Sequence, residues 1–158
     1  MATRGSIVIT TNTTALAIFM PEKAGPKSAG VKLLKALSST NRAVLEDKAD
    51  MVEIVDPNTA VTPDHKQALK PYTKNSTRCR KYAKWVDGLH GDINKVLDAG
   101  VYVEIDDYLV DDGVEWVYHV DIPQKVVSTI KNTKDASTVF SRYSLTDFPQ
   151  PEEYKALF

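Results

Sequence analysis

The sequence predicts an α+β fold: a mostly antiparallel sheet, built from two hairpins plus a short strand, with helices packed mainly on one face. Three observations carry this expectation. Val101 to Ile122 alternates apolar and polar residues about Asp112-Gly113, a two-residue hairpin turn signal. Ser6 to Met20 shows two apolar runs separated by a Thr/Asn stretch. Between these lies a stripe of helical period, with Cys79, Tyr82, Trp85, Val86, Leu89, Ile93, Val96 and Leu97 on one side.

Taken in order, Ser6–Thr10 and Ala15–Met20 read as the two strands of a hairpin. The segment 21–30, rich in Pro and Gly, reads as a loop. Leu34, Leu37, Val44 and Leu45 set a helical period from Val31 to Lys48, with an interruption at Ser38–Asn41, where short polar side chains compete for backbone hydrogen bonds. Met51–Val55 reads as a short strand ended by Asp56-Pro57. Residues 56–75 form a long connection holding a short helix at Asp64–Lys70. A long helix then begins after Ser76 or Thr77 and ends at Gly100, a residue suited to a helix C-terminus. Gly88 and Gly91 inside it each cost about 1 kcal/mol relative to Ala. After the Val101–Ile122 hairpin, Pro123 is placed to open a helix through Asn132. Ala136, Val139, Phe140 and Tyr143 repeat at helical spacing. Pro151 is placed to open a last helix, with Glu152 and Glu153 early and Lys155 late, as the helix dipole favours. The 158 residues are expected to form a single compact domain.

Net charge is −1, so attraction to nucleic acid or membrane must come from local segregation of charge. One cysteine, Cys79, excludes an intramolecular disulfide and suits a reducing, cytoplasmic setting. The polar run Thr10–Thr14 interrupts the apolar N-terminal residues, which argues against a signal peptide. Nothing approaches the ~20 apolar residues of a spanning helix, so no membrane association is expected.

Two charge clusters are the candidate sites. Lys66, Lys70, Lys74, Arg78, Arg80, Lys81 and Lys84 fall in a stretch without an acidic residue. Several lie at the start of the long helix, where the dipole opposes cations, so an anion or an acidic partner would compensate them. The aromatic residues of the same stretch, Tyr82 and Trp85, belong to the core stripe rather than to a base-stacking platform. The second cluster is the solvated face of the Val101–Ile122 hairpin. In the register that Asp112-Gly113 sets, Asp106 lies opposite His119 and Glu104 opposite Asp121. Those side chains suit a cation, a partner that docks on an acidic surface, or acid–base work.

Phosphate-loop, dinucleotide, paired-cysteine zinc and HExxH patterns do not occur in the sequence, and nothing implies a cofactor. The first functional expectation is therefore a small intracellular, non-enzymatic regulatory protein that binds another protein through segregated basic and acidic surfaces. The same charge pattern permits self-association. The alternatives are nucleic-acid or phosphorylated-ligand binding through residues 66–84, and a metal-dependent hydrolase on the acidic hairpin face.

Overall fold

The computed structural model describes residues 3–20, 22–56, 58–72, 93–103, 114–133 and 135–158. Its largest element is a five-stranded sheet. Strands β1 (Gly5–Thr10) and β2 (Ala15–Met20) form an antiparallel hairpin, as the apolar alternation predicts. Strands β5 (Trp116–Asp121), β6 (Val126–Asn132) and β7 (Ser137–Ser144) form an antiparallel meander. The two units join where β1 runs parallel to β5, giving the order β2-β1-β5-β6-β7. The fold is thus α+β with a mostly antiparallel sheet.

Between β2 and β5 the chain forms a short π-helix (Pro26–Gly30), α1 (Val31–Ser38), α2 (Arg42–Met51), β3 (Glu53–Val55) and α3 (Pro63–Leu69), with a 3-10 turn at Lys70–Tyr72. Next come α4, described over Ile93–Ala99, and β4 (Val101–Val103), which pairs in parallel with β3. Helix α5 (Pro151–Lys155) ends the chain. Among the described residues no helix is long and apolar enough to cross a membrane.

Three sequence expectations are corrected here. The Val101–Ile122 hairpin does not form, because β1 and β6 occupy the two edges of β5 and Val101–Val103 pairs instead with Glu53–Val55. The alternation over Trp116–Ile122 was read correctly, since Trp116, Tyr118, Val120 and Ile122 are buried, but its partners were not. Residues 126–132 are strand β6 rather than a helix: Val126, Val127, Thr129 and Ile130 are β-branched and fit a pleated surface. Residues 137–144 are strand β7 rather than a helix. The loop expected at 21–30 holds the π-helical turn at its end.

One face of the sheet is apolar and continuous across strands. Ile7, Ile9, Leu16, Ile18, Tyr118, Val120 and Val127 are all buried, and the cross-strand pairs Ile7–Ile18, Ile7–Tyr118 and Ile9–Val120 hold them in register. Each such side chain contributes about 1.5–3 kcal/mol by leaving water. The α1 residues Leu33, Leu34 and Leu37 belong to the same core. They recur at the i, i+3, i+4 spacing of an apolar helix stripe. Helix α5 adds Tyr154, 1 % exposed, whose hydroxyl shares a 2.7 Å hydrogen bond with the Thr129 hydroxyl. Tyr118 donates its hydroxyl to the Ala24 carbonyl at 2.5 Å, tying the loop after β2 to the central strand.

The ends of the elements follow local chemistry. Asn41 caps α2, its side chain accepting from the Ala43 N–H at 2.8 Å. Thr62 caps α3 in the same way toward His65. Gly100 follows α4 at φ 68°, a left-handed conformation that glycine adopts without a side-chain penalty, and its N–H bonds the Val96 carbonyl at 2.9 Å. The turn between β5 and β6 is less orthodox, because Lys125 takes φ 59° where Gly or Asn is usual.

Candidate functional site

Of the basic cluster, Lys66 and Lys70 lie in the described chain, on α3 and the 3-10 turn that continues it. Both are exposed. Four residues apart on a helical path, they share one side. Lys74, Arg78, Arg80, Lys81 and Lys84 lie outside the described residues, as do Cys79, Tyr82 and Trp85.

Of the acidic cluster, His119 and Asp121 are half-buried on β5, two residues apart and on the same face. Glu104 and Asp106 lie outside the described residues. The cross-strand pairings expected for them do not occur, because His119 sits between Val8 and Ser128, and Asp121 between Thr10 and Val126. Both side chains have structural partners. His119 Nε2 shares a 2.9 Å hydrogen bond with Thr10 Oγ1, and Asp121 Oδ1 accepts the Gln124 N–H at 3.1 Å, closing the turn into β6. Among the described residues no group of three or more His, Cys, Asp or Glu side chains is placed to hold a metal ion.

The structure brings together groups that the sequence reading missed. At the β1–β2 tip, Asp50 Oδ1 accepts from the hydroxyls of Thr11 at 2.5 Å, Thr13 at 2.9 Å and Thr14 at 3.2 Å. These donors, Thr11 foremost, hold the Asp50 carboxyl below its ordinary pKa by favouring the charged form. The cluster fastens the end of α2 to the hairpin, and the only local hint of it is the run of hydroxyl residues in the turn. His65 Nε2 lies 2.8 Å from Glu53 Oε2 and links α3 to β3.

The second missed feature is β7. It is the last strand of the sheet, pairing only with β6 among the described residues. Val139 is 58 % exposed and Phe140 43 %. The register with β6 slips between Thr129 and Ile130, so Phe140 is an extra residue on the β7 side. This bulge turns the Phe140 ring toward Trp116 and Phe158, with centroids 5.7 Å away in each case. Lys131 covers the Trp116 ring at 5.5 Å. At the opposite rim of the sheet, the Phe19 N–H of β2 donates to the Tyr102 hydroxyl at 3.0 Å, so one backbone donor of that rim is engaged.

The third is a groove between α1 and the segment leading into α5, about 350 Å³ in volume.

Together these define an α+β protein with a mostly antiparallel mixed sheet, in which β7 pairs only with β6 among the described residues. Compared with protein-family models, with curated proteins and with solved structures, the chain has no match.

Proposed function

We propose that this chain is a non-enzymatic, regulatory, cytoplasmic interaction protein, and that it binds another protein by pairing an extended segment of the partner with the open rim of β7. The observation that carries this reading is the exposed eight-residue edge strand with Val139 and Phe140 on its surface. An edge strand presents backbone donors and acceptors whose natural complement is another strand. Phe140 is backed by Trp116 and Phe158, so it is held in place while still exposed. A preordered aromatic of this kind loses little conformational entropy on binding. Arg142 is the single charged residue of β7, which biases the partner segment toward acidic side chains. The charge segregation of the chain supports the same class of function, with Lys66 and Lys70 as a further basic surface.

Affinity capture from the native cell, with the wild-type chain and the Val139→Asp variant in parallel, tests this. Val139 is 58 % exposed, so the substitution is expected to cost about 1 kcal/mol through strand propensity, and the variant's folding is checked by its unfolding curve. A partner held by the wild type is expected to bind the variant at least roughly tenfold more weakly, the effect of losing one well-placed contact. Partner sets that do not differ between the two chains would rule out the β7 rim as the interface.

A further inference from the structure

The groove between α1 and the approach to α5 has its own chemistry, independent of β7. Leu34 and the Tyr154 ring, both buried, lie at its base, and Val31 and Phe148 stand beside them. The Tyr154 hydroxyl is already bonded to Thr129, so the groove floor presents no free polar atom from this residue. Its volume falls at the lower end of the range of small-molecule sites.

Two polar groups on the lining are uncommitted. The Lys35 ammonium, in the last turn of α1, has no ion-pair partner among the described residues. Gln150 occupies the N-cap position of α5, yet its side chain makes no capping hydrogen bond. Ser38 is different, because its hydroxyl donates to the Lys35 carbonyl at 2.8 Å. An ammonium and an amide donor on the rim of an apolar groove are complementary to one anionic head on an apolar body. The single ammonium on the lining matches a head of one negative charge. Glu153, in the first turn of α5, weighs against a second, while Glu152 is engaged by Lys155 at 3.7 Å.

We propose that this groove binds an amphipathic monocarboxylate. The apolar body packs on the half-buried Val31 and Phe148, over a floor of Leu34 and Tyr154, and the carboxylate accepts from Lys35 and Gln150.

The test titrates the full chain with octanoate, 1-octanol and octyl phosphate, followed by calorimetry and amide chemical shifts. Octanoate is expected to saturate one site, with shifts concentrated in residues 31–38 and 148–154. Losing one charge-assisted contact corresponds to about tenfold in affinity, so Lys35→Gln should weaken octanoate by that factor and leave octanol unchanged. Val31→Trp should fill the groove and remove both. Should that variant fail to fold, Lys35→Gln alone decides. Equal binding of octanoate and octanol, unchanged octanoate affinity in Lys35→Gln, tighter binding of octyl phosphate, or no saturation at millimolar ligand would each overturn the proposal.

Discussion

Tyr118 shows how much a single buried polar atom can decide. Its ring was legible as inward-facing from the alternation on β5, but its acceptor, the Ala24 carbonyl, lies in a loop that no periodicity describes. Tyr118→Phe keeps the ring and leaves that carbonyl without its donor, so a loss of about 1–3 kcal/mol is expected in urea unfolding. Burial raises the pKa of both central phenols, Tyr118 beyond the ordinary range and Tyr154 to about 12. The unfolded chain ionises its tyrosines near 10. Between about 10 and 12 the unfolded state therefore holds fewer protons than the folded one, and stability falls as pH rises. Below that window these groups contribute no pH dependence. Melting curves from pH 8 to 12 should show this decline, and Tyr154→Phe should make it shallower. Gly30 carries a third residue-scale expectation. A Cβ placed there would collide with the Tyr154 phenol, which Thr129 holds in place. Gly30→Ala should accordingly cost about 1–3 kcal/mol as overpacking. That close approach involves residues more than a hundred positions apart, so it left no local trace.

At the scale of elements, legibility followed local signals. The β1–β2 hairpin, the break between α1 and α2, the short β3 strand, the α3 helix, the glycine after α4 and the proline at the start of α5 were all readable. Each has its determinant in the few residues around it. Asn41 is the clearest of these, and Asn41→Ala is expected to lower the unfolding free energy by about 1 kcal/mol through loss of the α2 cap. The misread elements had misleading local signals. Pro123 looked like a helix start, and the β5–β6 turn hides its nature by placing Lys125 at positive φ. In β7 the bulge at Phe140 puts Phe140 and Tyr143, three residues apart, against the aromatic groups of the buried face. A spacing of three is what a helix would show. The candidate sites were legible only as charge clusters. His119 is bonded to Thr10 on β1, a strand distant in sequence, and Asp121 closes the local turn into β6.

For the whole molecule, the decisive pairing is β1 with β5. It joins strands over a hundred residues apart, in parallel, and no turn residue announces it. Fold class was therefore readable from periodicity while topology was not. The two rims differ among the described residues: the Phe19 N–H of β2 is engaged by the Tyr102 hydroxyl, and β7 pairs only with β6. In the language of polymerisation, the five-stranded sheet would act as a monofunctional monomer if β7 is its reactive rim. A strand that joins β7 then consumes that rim, and two copies meeting there terminate each other. Self-association through this sheet should stop at two. Sedimentation velocity over a wide concentration range should fit a monomer–dimer equilibrium that Val139→Asp abolishes. A ladder of larger species lost in the same variant would show that the β2 rim also accepts a strand.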